Sequence, residues 1–237
     1  MASVVTVRAF EALCVGVWLV GLYWVRRQRR PVYAGVYFGS STLMVFDWVF
    51  NTNWFFRVTY AEQFIPLWTI QGVVQPVALA LNYAFFFGAP VLMLVHYREW
   101  LDRKLGAWGY AAVFAMGALL DLAFEIPVVR LGLWTYYQEP TFLLGGVAWS
   151  NFWYSGMLMV SAYAATRLAV RWGTSPGPAH PAVAGEADLK FLGRGEAWWR
   201  GFAIGAAAIW SAFYVSLSMQ LVWYGVTQPW IASPRPF

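Results

Sequence analysis

AWGYAAVFAMGALLDLAFEI, residues 107–126, is a run of 20 residues in which Asp121 and Glu125 are the only charged side chains. A helix of about 20 mostly apolar residues spans the hydrocarbon core of a bilayer. Because lipid offers no hydrogen bonds, the backbone of such a segment must satisfy itself, as an α-helix does. The run therefore predicts a transmembrane helix that carries two carboxyl groups.

The rest of the chain has the same apolar character, with 60% hydrophobic and only 11% charged residues among 237. A soluble surface cannot be covered with that composition. We predict an all-α, polytopic membrane helical bundle in one transmembrane domain, residues 1–237, and an additional re-entrant or interfacial helix at 51–70 is an alternative for that more polar stretch. The six predicted spans are Val4 to Val25, Pro31 to Phe50, Gln71 to Val95, Ala107 to Ile126, Phe142 to Thr166 and Gly201 to Tyr224.

The basic residues predict an orientation, because cytoplasmic loops carry an excess of Lys and Arg. Twelve of the 16 fall on one side of the predicted spans: Arg26, Arg27, Arg29, Arg30, Arg98, Arg103, Lys104, Arg167, Arg171, Lys190, Arg194 and Arg200. This split places both termini outside and a flexible, Pro- and Gly-rich cytoplasmic loop at about 172–200. The net charge of +5 is then explained by orientation in the bilayer, and no nucleic-acid partner is expected.

Three carboxylates stand out within the predicted spans, where an ionisable group is costly and usually functional. Asp121 and Glu125 are four residues apart and share one helix face, and Asp47 lies near the end of the second span, four residues before Asn51. Two neighbouring carboxyl groups out of water do not both ionise readily, so one is expected to hold a proton, as a general acid does. Polar contacts between helices, or an ion pair of Glu125 with Arg130, remain open as structural alternatives.

Further polar and aromatic side chains near these carboxylates predict a substrate pocket. The candidate substrate-binding residues are Asn51, Asn82, Trp134, Tyr136, Asn151 and Tyr154. The two histidines, His96 and His180, and the lone Cys14 do not make a haem or zinc site, and we expect neither a metal nor a cofactor. A magnesium-diphosphate site at the Asp47 and Asp121 motifs is disfavoured, because the basic residues that would hold a diphosphate lie on the other side.

Four stretches of the chain resemble the spirocyclase AveC family. They are STLMVFDWVFN (41–51), QPVALALNYAFFFGAPVLML (75–94), GALLDLAFEIPVVRLGLWTYY (117–137) and GGVAWSNFWYSG (145–156). The resemblance implies a membrane cyclase of secondary metabolism that closes a dihydroxyketone into a spiroketal with loss of water. On this basis Glu125 is the expected acid, Asp121 its partner, and Asp47 with Asn51 orienting or second acid groups.

Two other functions fit the same residues. A membrane terpene or meroterpenoid cyclase would protonate an olefin or epoxide from a carboxylic acid and stabilise the resulting cation on aromatic side chains. A non-enzymatic small-molecule binder or transporter would use the acids for proton coupling or for helix packing. In every case the expected partners are a hydrophobic small molecule and the lipid bilayer, in the plasma membrane of a bacterium.

Overall fold

The computed structural model of the protein describes residues 2–51, 58–70, 73–136, 143–174 and 195–227. Within these ranges the chain is mostly helical, so the predicted helical character is confirmed. The α-helices are α1 (Val4–Gln28), α2 (Pro31–Thr42), α3 (Val77–Tyr83), α4 (Ala89–His96), α5 (Arg98–Leu105), α6 (Gly109–Arg130), α7 (Trp149–Thr174) and α8 (Glu196–Thr227). Three shorter helical segments join them: a 3₁₀ segment at Leu43–Asn51, a π segment at Ala84–Gly88 and a 3₁₀ turn at Gly106–Trp108.

Four helical stretches of the described residues are long and apolar enough to cross a membrane, namely Val4–Gln28, Val77–His96, Arg98–Arg130 and Glu196–Val226. The predicted count of six is not confirmed by this criterion. The second predicted span has only 12 α-helical residues before it continues as the 3₁₀ segment. The fifth, α7, is 26 residues long, but polar side chains such as Asn151, Ser155 and Thr166 lower its hydropathy.

Short strands replace helix where the sequence is more polar. The strands are β1 (Val58–Tyr60), β2 (Pro66–Ile70), β3 (Val73–Pro76), β4 (Trp134–Tyr136), β5 (Leu143–Leu144) and β6 (Val147–Ala148). All three pairings are antiparallel: β1 with β4, β2 with β3, and β5 with β6. The alternative of an interfacial helix at 51–70 is therefore wrong over residues 58–70, where β-branched and aromatic residues and Pro66 favour strand.

Two predicted spans include strand residues near their beginning. Gln71 lies outside the described residues, and the third span continues as strand β3 until its helix begins at Val77, after Pro76. Phe142 also lies outside them, and the fifth span continues as the β5–β6 hairpin, where Gly145 and Gly146 have φ of 61° and 89° and form the two-residue turn that glycine favours. The predicted loop at 172–200 is also shorter than expected, because α7 continues to Thr174 and α8 begins at Glu196; residues 175–194 lie outside the described part.

Helices α2 and α8 approach closely through two matching small-residue motifs, Gly35-x-x-x-Gly39 and Gly201-x-x-x-Gly205. A Cβ atom added at Gly35 would lie 2.0 Å from the carbonyl oxygen of Phe202, which no real side chain could tolerate. Small residues at this spacing let two helix backbones touch, a common way to pack helices in a membrane. The contact fixes α8 against α2.

Helix α6 packs on α7 through another glycine contact. A Cβ atom at Gly117 would lie 2.7 Å from the Cβ of Met159 and 2.9 Å from the carbonyl oxygen of Ser155. Because Asp121 follows Gly117 by one helical turn, this close approach brings its carboxyl group to the α7 face that carries Asn151 and Ser155. The packing therefore positions one of the predicted acids.

Candidate functional site

A cavity of about 60 Å³ lies between the 3₁₀ segment, α3, α6, α7 and the β1–β4 pair. Its walls are Asp47, Val58, Tyr60, Leu79, Asn82, Tyr83, Phe86, Phe87, Asp121, Glu125, Trp134, Tyr136, Asn151, Tyr154 and Ser155. All three carboxylates predicted from the sequence face this one space, although they come from two different elements. The structure thus brings the candidate catalytic groups together.

Asp121 is held by α7. It is 2% exposed, and its carboxylate accepts hydrogen bonds from Asn151 Nδ2 at 3.0 Å and from Ser155 Oγ at 2.8 Å. Asn151 and Ser155 are four residues apart and so lie on one face of α7. The side chain of Asp121 is fixed at both oxygens by neutral donors.

Glu125 lies one helical turn further along α6 and is held by strand β4. Trp134 Nε1 donates to its Oε2 at 2.6 Å, and the Tyr136 hydroxyl donates to the same oxygen at 2.9 Å. Asn151 Nδ2 also donates to the Tyr136 oxygen at 3.1 Å. A continuous hydrogen-bonded chain therefore runs from Asp121 through Asn151 and Tyr136 to Glu125.

The alternative in which Glu125 pairs with Arg130 does not occur. Within the described ranges the ion pairs are Arg8 with Glu11, Arg98 with Glu99 and Arg167 with Asp102. The network around Glu125 is built from neutral donors alone.

Asp47 lies in the 3₁₀ segment and is 4% exposed. Its two oxygens are bonded separately: the Tyr83 hydroxyl donates to Oδ1 at 2.6 Å, and the Tyr60 hydroxyl makes a short hydrogen bond to Oδ2. These tyrosines come from α3 and β1. Three elements thus meet at this carboxylate.

The π segment shapes the apolar wall. It follows α3 directly, and Phe86 and Phe87 line the cavity with Tyr83 from the preceding turn. The Tyr83 and Phe87 rings are stacked with centroids 5.7 Å apart, and Phe86 meets Phe87 edge to face at 4.9 Å. A π turn inserts one extra residue per turn, is rare and often occurs at functional sites.

Two tyrosines outside the membrane-spanning helices stay neutral. Burial raises the pKa of the Tyr60 hydroxyl well above its ordinary value, and the nearby charge of Asp47 raises it further. Burial also raises the pKa of Tyr136, with additional contributions from Glu125 and Asp121. Both hydroxyls therefore remain hydrogen-bond donors at any pH at which the protein works.

The cavity includes most of the residues predicted to bind substrate, namely Asn82, Trp134, Tyr136, Asn151 and Tyr154. Asn51 ends the 3₁₀ segment, and its side chain lies outside the described part. Asn82 is 8% exposed, and its Oδ1 atom has no hydrogen-bond partner.

Sequence reasoning missed seven residues of this wall, namely Val58, Tyr60, Leu79, Tyr83, Phe86, Phe87 and Ser155. Ser155 could have been found, because it lies one helical turn after the predicted Asn151. The two tyrosines carry no such local signal, since they are 13 and 36 residues away from Asp47 along the chain.

No known protein family, no curated protein and no solved structure matches this chain.

Proposed function

We propose that the protein is a membrane-integral acid–base cyclase that forms a spiroketal by dehydrative cyclisation of a dihydroxyketone, polyketide-like substrate. The observation that supports it most directly is the hydrogen-bonded chain from Asp121 through Asn151 and Tyr136 to Glu125. Two carboxyl groups connected in this way, in an aromatic cavity, suit one group to donate a proton and the other to accept one.

The proposed reaction needs only proton transfer. One alcohol of the substrate adds to the ketone to give a hemiketal, and Glu125 then protonates the hemiketal hydroxyl, which leaves as water. The second alcohol attacks the oxocarbenium carbon and gives its proton to Asp121, and the released water can carry that proton from Asp121 back to Glu125, while Asn151 and Tyr136 hold the two carboxyl groups in place. The balance is one dihydroxyketone converted into one spiroketal and one water.

The hydrogen bonds of Glu125 are consistent with the acid role. Trp134 and Tyr136 both donate to Oε2, so Oε1 is the oxygen assigned to the transferable proton. Asp121, in contrast, is bonded at both oxygens and is suited to be the partner that carries negative charge. Asp47, held by two tyrosines, is the proposed orienting group.

Substrate size sets a further requirement. Pockets for drug-sized ligands measure roughly 300–1,000 Å³, whereas this cavity measures about 60 Å³. The proposal therefore includes opening of the wall as the substrate enters, with the reacting ketone carbon at the carboxyl groups. Once closed, the aromatic wall would exclude bulk water, which could otherwise hydrolyse the spiroketal.

The resemblance to the spirocyclase AveC family supports the same function. Each of the four resembling stretches contributes to the cavity wall: Asp47 comes from the first, Asn82 from the second, Glu125 from the third and Asn151 from the fourth. The stretches that carry the resemblance are thus the stretches that build the candidate site.

We also propose that six segments cross the plasma membrane of a bacterium, with both termini outside. In this arrangement α2 with its 3₁₀ segment is the second span and α7 is the fifth, because α2 packs tightly on α8 through its glycines and α7 packs on α6. The orientation rests on the excess of basic residues in the predicted cytoplasmic loops.

Thiol labelling in intact cells tests this orientation. In a Cys14→Ser background, a membrane-impermeant maleimide should label Glu62→Cys but not Glu99→Cys, since both residues are exposed and the proposed topology places them on opposite sides. Labelling of Glu99→Cys alone would overturn the orientation.

Turnover by the purified protein tests the cyclase. We expect the protein in detergent to convert members of a dihydroxyketone panel into single spiroketal stereoisomers with loss of water, and Glu125→Gln to abolish the conversion. Glu99→Gln is the matched control, because its side chain is 83% exposed. Equal turnover by Glu125→Gln and Glu99→Gln would contradict the proposed acid.

The aromatic wall favours a second candidate, a membrane terpene or meroterpenoid cyclase. The faces of Tyr83, Phe86 and Phe87 could stabilise a carbocation formed when a carboxyl group protonates an olefin or epoxide. Linear prenylated epoxides belong in the same panel, since their isomerisation without change of mass would favour this candidate over spiroketal formation.

A further inference from the structure

Five hydrogen-bond donors of the cavity wall are directed at its carboxylates. Tyr60 and Tyr83 donate to Asp47, Trp134 and Tyr136 donate to Glu125, and Ser155 donates to Asp121. Their protons are therefore engaged within the wall. Around Asp47 and Asn82, these groups leave mainly oxygen lone pairs for a ligand.

The charged side chains of the lining also favour a hydrogen-bond donor or a cation as the ligand. Three side chains of the lining are carboxylic acids, and no Lys, Arg or His belongs to the described lining. A ligand that carried a carboxylate or phosphate would meet like charge or carboxyl oxygens without a compensating cation, which is costly in a dry site. A ligand with positive charge would meet opposite charge.

Asn82 supplies an independent observation. Its side chain lines the cavity and is more than nine-tenths buried, yet Oδ1 has no hydrogen-bond partner. A buried carbonyl oxygen that is left unpaired costs free energy that a ligand could restore. Because Oδ1 is an acceptor, the ligand group that pairs with it must be a donor or a cation.

The side chains of the lining favour an organic cation over a metal ion. No three His, Cys, Asp or Glu side chains converge closely enough to hold a metal ion in the described part of the chain. The rings of Tyr83, Phe87 and Trp134 lie in the same wall, and aromatic faces attract ammonium groups.

We propose that the cavity, after the same opening of its wall that a cyclase substrate requires, binds a lipophilic organic cation of the ammonium class between Asp47, Asn82 and the aromatic wall, and that it excludes anionic ligands. This inference goes beyond cyclisation and does not depend on it. If the protein is also a cyclase, its substrate carries no carboxylate or phosphate, and an ammonium compound that imitates the developing cation is its inhibitor.

Three probes of similar size but different charge test the proposal. They are benzyltrimethylammonium, its uncharged isostere neopentylbenzene, and the anion phenylacetate, each titrated against the full-length protein in a neutral maltoside detergent, with empty micelles as the blank. Calorimetry or equilibrium dialysis gives the dissociation constants. We expect the cation to bind at least about tenfold more tightly than the isostere, a difference of the size measured for desolvated cation–π and charge contacts, and phenylacetate not to bind.

Matched variants locate the binding. Asp47→Asn and Asn82→Leu should each weaken the ammonium by about tenfold or more, while Glu99→Gln, a change at an exposed carboxylate, should leave it unchanged. Asn82→Ser serves if Asn82→Leu does not give a monodisperse protein. Equal affinity for cation and isostere, binding of phenylacetate, or unchanged ammonium binding in folded Asp47→Asn would each overturn the proposal.

The two proposals fail separately. Ammonium binding without turnover of any dihydroxyketone would leave the cation site standing and remove support for the cyclase. Turnover without ammonium binding would overturn the cation site and leave the cyclase in place.

Discussion

The Tyr136 hydroxyl donates to Glu125 Oε2 at 2.9 Å, and these two residues belong to a short strand and to a long apolar helix. Strand β4 is held in place by β1, with Tyr136 opposite Val58 and Trp134 opposite Tyr60. The short sheet therefore closes one end of the cavity and carries both donors to Glu125. Without the strand pair, the carboxyl group would have no fixed orientation.

Tyr136→Phe tests how much the site depends on this bond. The change removes the donor to Glu125 and the acceptor for Asn151 while it keeps the ring. We expect a loss of roughly 1–3 kcal/mol in the free energy of unfolding, because two buried polar groups lose a partner. Turnover should fall by roughly 10²-fold, because the general acid Glu125 loses a group that orients it.

Unfolding in mixed micelles and the dihydroxyketone assay measure the two effects. Tyr97→Phe is the matched control, because Tyr97 is 57% exposed and lines no part of the cavity. If both variants kept wild-type turnover, the proposed role of Tyr136 in orienting Glu125 would be wrong.

We expect Asp47 to stabilise the fold mainly as the hydrogen-bond acceptor for two tyrosine hydroxyls. Asp47→Leu should lower the free energy of unfolding by roughly 1–3 kcal/mol for each hydroxyl left without an acceptor. Further replacement of Tyr60 and Tyr83 by Phe should restore part of that loss, since neither hydroxyl is then left without its acceptor. A triple variant less stable than Asp47→Leu would show that the tyrosines have other partners.

The helices were predictable because their signal is local. Long apolar runs identified α1, α6 and α8 to within a few residues at most ends, and Asp121 and Glu125 stood out as charges inside such a run. An ionisable residue in an apolar helix is conspicuous by composition alone. The candidate acids could therefore be named before their surroundings were known.

The strands and the tyrosine partners were not predictable because their signal is tertiary. Strand β1 has only three residues, and it pairs with β4 nearly 80 positions later, at Val58 and Tyr136. Tyrosine is common at membrane interfaces, so nothing in the sequence shows that Tyr60 is a hydrogen-bond partner of Asp47. Only the folded chain brings these groups together.

The raised pKa of Tyr60 predicts an abnormal alkaline titration. An ordinary tyrosine ionises near pH 10, but burial and the charge of Asp47 keep Tyr60 neutral well above that value. Absorbance of tyrosinate at pH values near 11 should therefore be the same in Tyr60→Phe and in wild type. Loss of one tyrosinate in Tyr60→Phe relative to wild type would mean that Tyr60 is open to water.

The contact between α2 and α8 predicts a sharp difference between glycines. Gly35→Ala and Gly205→Ala would place a Cβ atom 2.0 Å from the Phe202 oxygen and 2.2 Å from the Val32 oxygen, whereas Gly16→Ala meets nothing within 4 Å. Because the backbone must move to relieve such contacts, each of the first two substitutions should lower the free energy of unfolding by about 1–3 kcal/mol or more. Gly16→Ala should be neutral or stabilising by up to about 1 kcal/mol, through helix propensity. Equal thermal stability of Gly35→Ala and Gly16→Ala would mean that the two helices do not touch at these glycines.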